Sequence, residues 1–195
     1  MQTAGADKLL ELQVTAKTYR SAANATIEVL RDFAISLAAG SFTSLVGPSG
    51  SGKTTILRIA AGLDREFGGQ RRIAPSTRIA MVFQEPRLLP WRTVEDNIRI
   101  AMDAASTTGD IGELLERLDL VGQRRQYAGE LSLGQARRAA LARAISIDPD
   151  LLLLDEPLVS LDEAIAARLR GELRAIAERG KLTITRTSCN TRQSW

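Results

Sequence analysis

Three short stretches of this chain carry residue types that could do chemistry at a fixed spacing. The first is Gly47-Pro48-Ser49-Gly50-Ser51-Gly52-Lys53-Thr54-Thr55, which matches the pattern G-x-x-x-x-G-K-[ST] in full. Its glycines let backbone N–H groups converge on phosphate oxygens. Lys53 is placed to reach the β- and γ-phosphates of a nucleotide, and Thr54 to offer its hydroxyl to Mg²⁺. The second is Leu151-Leu152-Leu153-Leu154-Asp155-Glu156-Pro157, an apolar run that ends in two acids and a turn-forming proline. Asp155 can hold Mg²⁺ through water opposite Thr54. Glu156, one residue on, points differently and can polarise an attacking water as general base. The third is Leu131-Ser132-Leu133-Gly134-Gln135, in which Ser132 is placed to cap a helix rich in Ala and Arg.

These groups need a scaffold that brings them together. Ser41–Val46 reads as a strand running into Gly47, and 54–61 as the helix that follows, stopped by Gly62. A strand leading into the loop and a helix leaving it is the context the phosphate pattern requires. Ile79–Phe83 is a second buried strand, and Leu151–Leu154 is too continuous for anything but a central parallel one. Short alternating patterns at 9–14 and 27–38 predict edge strands. From about 86 to 145 the period turns helical. Thr93 and Asp96 have capping-box spacing ahead of Val94, Ile98 and Met102, and Ile111, Leu114, Leu115 and Leu118 form a second stripe. A last helix places Ile165, Leu169, Leu173 and Ile176 inward and stops at Gly180. A final strand is expected over Leu182–Thr185. The whole is an α/β fold: a core lobe of about 1–85 and 146–195, with a helical insertion at about 86–145.

The 195 residues suffice for one domain with a real core. A net charge of +3 is ordinary solvated charge and does not point to nucleic acid. No apolar run approaches the ~18 residues that span a bilayer, so a cytoplasmic chain, held at a membrane only by partners, is expected. A single cysteine, Cys189, leaves no internal disulfide. Basic residues are almost all Arg, and Lys occurs only at 8, 17, 53 and 181, which makes Lys53 in the Gly-rich loop stand out.

In these motifs and their order the chain resembles the ATP-binding cassette (ABC) transporter ATPases, from about residue 9 to 185. The resemblance implies a P-loop NTPase (RecA-like) core with an antiparallel β edge and a helical subdomain. It makes Gly47–Thr55 the Walker A loop and Leu151–Glu156 the Walker B strand. Gln84 becomes the glutamine that contacts Mg²⁺ and the attacking water. Tyr19 becomes the aromatic that stacks on adenine, and Ser160-Leu161-Asp162 the D-loop. Leu131–Gln135 resembles the signature loop, which binds the γ-phosphate of ATP held by a second copy. The family therefore implies a head-to-tail homodimer with ATP sandwiched in it. It also implies integral membrane permease subunits, an indirect periplasmic solute-binding protein, no nucleic acid, and a peripheral position on the cytoplasmic face of the inner membrane. Val82–Ile98, with Pro90-Trp91, resembles the importer ATPases for nitrate, sulfonates and taurine. Trp91 is expected to be exposed near the permease contact.

Two departures stand out. Leu133 replaces the first signature glycine and would be strained if that position needs φ > 0. The chain has no histidine, although the family follows its last core strand with Thr-His-Asp. Counting from Thr185 puts Arg186 at the histidine position; counting from Gly180-Lys181 puts Ser188 there. A natural divergent end and a tail translated out of frame both fit residues 186–195. Three functions stay open: an importer ATPase, a degenerate ATP-binding module with little hydrolysis, and a non-transport ABC ATPase. The last class usually carries a coiled-coil insertion or a second cassette.

Overall fold

The computed structural model describes residues 8–22, 24–156, 163–178 and 183–188, and these form two sheets and five α-helices. The first sheet is antiparallel: β1 (Lys8–Arg20) lies between β2 (Thr26–Ala38) and β4 (Gly68–Ile73). Its strands are longer than the alternating patterns suggested. β4 escaped the sequence reading because Gly68-Gly69-Gln70-Arg71-Arg72 carries almost no apolar signal. The second sheet is parallel, with strand order β3 (Phe42–Val46), β7 (Thr183–Ser188), β6 (Leu151–Leu154), β5 (Ile79–Val82).

Register decides where chemistry can occur. Val46 pairs with Ser188, Arg186 with Leu154, and Leu154 with Val82. The carboxyl ends of all four strands therefore reach one edge of the sheet, where ligands of open α/β folds bind. β7 runs three residues beyond the expected end at Thr185. Alternating Thr residues and an arginine hid the end of this strand, which is central in the sheet and takes its pairing from neighbours on both sides.

β6 explains its own sequence. All four leucines are buried. Leu151 and Leu153 pack with Leu10, Leu12 and Val14 of β1 and with α1 (Lys53–Ala60) on one face. Leu152 and Leu154 pack on the other with α2 (Val94–Ala105), α3 (Ile111–Arg117), α4 (Leu133–Ile145) and α5 (Glu163–Glu178). A strand covered on both faces has no polar side. Leu169 and Leu173 of α5 are buried as expected; the side chains of Ile165 and Ile176, and Gly180, lie outside the described residues.

α2 starts in a complete capping box: Thr93 Oγ1 accepts from Asp96 N–H, and the Asp96 carboxylate from Thr93 N–H. Asn97, buried, ties the preceding loop down by accepting from Leu89 N–H at 2.8 Å and donating to Leu89 O at 3.1 Å. Glu95 holds the loop before α4 through a two-pronged pair with Arg124 at 2.7 and 2.9 Å and a further bond from Arg99. No helix among the described residues is long and apolar enough to cross a membrane.

Candidate nucleotide site

The phosphate loop is shaped by what lies behind it. Gly50 and Gly52 have φ of 81° and 83°, a region where L side chains are strained. A Cβ on Gly52 would stand 2.5 Å from Leu30 Cδ2 and 3.0 Å from Val29 O, so β2 backs the loop and admits only glycine there. Gly47 has Ser51 Oγ 2.9 Å from where a Cβ would sit, and Ser51 N–H donates to Pro48 O at 3.3 Å to close the turn. α1 begins at Lys53 with no side-chain cap, which leaves first-turn N–H groups for an anion. The Lys53 ammonium folds over its own loop and donates to Gly47 O and Pro48 O, both at 2.8 Å.

The acidic half meets it from β6. Asp155 is buried, and Thr54 Oγ1 donates to its Oδ2 at 2.8 Å. The other oxygen, Oδ1, accepts from Thr187 Oγ1 at 2.8 Å, and the same Oγ1 accepts from Glu156 N–H at 2.9 Å. Thr187 thus ties both acids to β7. Glu156 has φ 49°, a left-handed conformation uncommon for a residue with a side chain. That reversal turns its side chain out of the strand's alternation and into the cleft, whereas Asp155 stays buried beside Thr54. A hydroxyl and a carboxylate in contact are the hard oxygen donors that Mg²⁺ accepts, with phosphate and water completing its shell.

A cleft of about 430 Å³ collects Tyr19, Val29, Ser49, Gly50, Gly52, Lys53, Thr54, Thr55, Gln84 and Glu156, a size that suits a small-molecule ligand. Gln84 lies two residues past the end of β5, one further than the sequence placed it. None of Leu131, Ser132, Leu133, Gly134 or Gln135 lines this cleft. They open α4 elsewhere, with Ser132 Oγ accepting from Gln135 N–H at 3.3 Å and Gln135 Oε1 accepting from Ser132 N–H at 2.9 Å. Leu133 is the first residue of that helix and is absent from the residues with positive φ. The expected backbone strain at Leu133 is therefore corrected: a helix N1 position takes any L residue. Its side chain is 53% exposed. Ser160, Leu161 and Asp162 lie outside the described residues.

Four contributors escaped the sequence reading. Thr187 was missed because it lies two residues beyond the expected end of β7 at Thr185; the count from Gly180-Lys181 places it just before Ser188. Val29 lines the cleft from β2. Arg137 of α4 shares a small cavity with Gln84 and Glu156, and among the described residues its Nε and Nη1 are buried without a hydrogen-bond partner. Asp64, beyond α1, binds the Tyr19 hydroxyl. Trp91 is 68% exposed, as expected.

Comparison with known proteins agrees with this geometry. Residues 30–159 match the family model described as ABC transporter. An aliphatic sulfonates import ATP-binding protein of Burkholderia cenocepacia is 40% identical over 92% of this chain and 68% of its own length. One of Streptomyces avermitilis is 43% identical over 80% of this chain and 62% of its own length. The chain thus spans about two thirds of the length of these relatives. A solved ATP-binding cassette, dimeric in a post-hydrolysis state with ADP and Pi, superimposes with a TM-score of 0.85 at 25% identity, covering 94% of this chain and 89% of that one. A dimeric bacterial ABC transporter cassette gives 0.83 at 27% identity, covering 92% and 88%. The chain therefore belongs to the ABC transporter family.

Proposed function

We propose that the chain is the ATP-binding and ATP-hydrolysing subunit of an importer for a small solute, an aliphatic sulfonate or a relative such as nitrate or taurine. The observation that carries the reading is the junction of Thr54, Asp155 and Thr187, which sets an oxygen site for Mg²⁺ beside the phosphate loop and leaves Glu156 facing the cleft. In this reading Lys53 exchanges its loop carbonyls for phosphate oxygens. Thr54, Asp155 and Gln84 would hold Mg²⁺, which would supply charge screening for the phosphates. Glu156 takes the proton of the attacking water. The signature loop at 131–135 stands away from this cleft, which supports its use by a second copy. The functional unit is then a homodimer on the cytoplasmic face of the inner membrane. It would bind permease subunits, served by a periplasmic solute-binding protein, through the helical part at about 86–145. Trp91 and Tyr127 are exposed there on loops joined by backbone hydrogen bonds.

Phosphate release with the permease present is the test. Glu156→Gln is expected to cut turnover by about 10²-fold or more while ATP still binds. Absence of turnover in the parent complex would favour an ATP-binding module that does not hydrolyse.

A further inference from the structure

Lys17 is the most deeply buried lysine side chain among the described residues, with 3% of its surface exposed. A buried ammonium is costly unless it is paired and fully hydrogen-bonded. Its Nζ donates to Asp64 Oδ1 at 2.8 Å and to Glu66 O at 2.6 Å. The second oxygen of Asp64, Oδ2, accepts from the Tyr19 hydroxyl at 2.8 Å. Lys17 Nζ also lies 4.5 Å from the centroid of the Tyr19 ring, within cation–π range. Glu66 N–H donates to Asp64 Oδ1 at 3.2 Å, and Asp64 N–H donates to Arg58 O of α1 at 3.2 Å.

Tyr19 is therefore fixed at both ends of its freedom. Its hydroxyl is held by a carboxylate, and its ring is set against an ammonium. Tyr19 is 37% exposed and lines the cleft with Ser49, Gly50 and Lys53. Burial opposes ionisation of Asp64, but the hydrogen bonds from Lys17, Tyr19 and Glu66 N–H outweigh it and hold the carboxyl below its ordinary value.

We infer that Lys17 and Asp64 are positioning residues for the nucleotide base: they lock the Tyr19 ring as a stacking platform and tie it to the helix that follows the phosphate loop. The inference rests on the proposed ATP site and on Tyr19 as its adenine contact. It predicts that losing the lock weakens recognition of the base and leaves recognition of the phosphates alone.

The experiment measures binding of ATP and of inorganic tripolyphosphate, which has no base, to the full chain and to Tyr19→Phe, Asp64→Asn and Tyr19→Ala. Tyr19→Phe keeps the ring and deletes only the bond to Asp64. ATP affinity should fall by roughly 3- to 10-fold in Tyr19→Phe, the size of an ordinary hydrogen bond, because the Tyr19–Asp64 bond is exposed to solvent. It should fall by at least as much in Asp64→Asn, with tripolyphosphate affinity unchanged in both. If Asp64→Asn does not fold, Tyr19→Phe alone decides. A loss in Tyr19→Ala with parental ATP affinity in Tyr19→Phe would overturn the lock and leave the platform standing. Parental affinity in Tyr19→Ala would overturn the adenine contact itself. Equal losses for ATP and tripolyphosphate would also overturn the inference, because the cluster would then be shaping the phosphate loop.

Discussion

Replacing Thr187 by valine tests whether one hydroxyl organises the acidic half of the site. The side chain is 2% exposed and its Oγ1 serves two partners, donating to Asp155 Oδ1 at 2.8 Å and accepting from Glu156 N–H at 2.9 Å. Valine keeps the shape, so no cavity term enters. One hydrogen bond to an ionised group is lost, worth about 1.5–3 kcal/mol, and one backbone N–H loses its acceptor, at about 1–3 kcal/mol. Asp155 keeps its bond from Thr54 and the site borders an open cleft, so about 3 kcal/mol is the expected loss of stability, near the lower end of that sum. With an unfolding entropy of about 2.1 cal/mol/K per residue over 195 residues, this corresponds to a fall in Tm of roughly 7 °C. Thr187→Ser restores the hydroxyl and should recover most of it, since a deleted methyl costs about 1 kcal/mol. Paired thermal unfolding curves supply the measurement. A valine variant within 1–2 °C of the parent (about 0.5 kcal/mol), or a serine variant that falls as far as valine, would refute the reasoning. The proposed mechanism adds that the valine variant should lose more in phosphate release than in ATP affinity, because Glu156 is the group set loose.

Two further predictions concern the helical part. Leu133→Gly should lower monomer stability by less than about 1 kcal/mol and tighten ATP-dependent dimerisation, since it removes an exposed side chain from the signature loop; equal dimer affinity by analytical ultracentrifugation would mean that Leu133 is no obstacle. The hydrogen bonds from Arg124 and then Arg99 lower Glu95 from an ordinary value of 4.5 to about 2. A depressed carboxylate stabilises the fold above its unfolded pKa, and the contribution is lost as pH falls from about 4.5 through about 2. Arg124→Met should therefore flatten the acid limb of the stability curve in that window, and an unchanged limb would remove Glu95 from the account.

The chemistry-bearing motifs were legible because each combines rare residue types at a spacing that one local structure explains. A glycine-rich turn between a strand and a helix needs only its neighbours to form, and Ser132 caps α4 through Gln135, three residues away. The all-leucine run of β6 announces burial on both faces. β4 and the end of β7 were not legible, because a Gly- and Arg-rich strand and a Thr-rich one owe their state to partners far along the chain.

By itself the sequence determined which groups could bind phosphate and supply a carboxylate, and in what order they follow one another, since those depend on residue types and local backbone preference. The tertiary structure decided which of them meet. Pairing Leu154 with Arg186 sets Thr187 against Asp155, and the strand β1 brings Lys17 and Tyr19 to Asp64 across 47 and 45 residues. Such contacts form only when sheet register and helix packing align distant segments, and hydrophobic burial along the whole core, rather than any local pattern, selects that register.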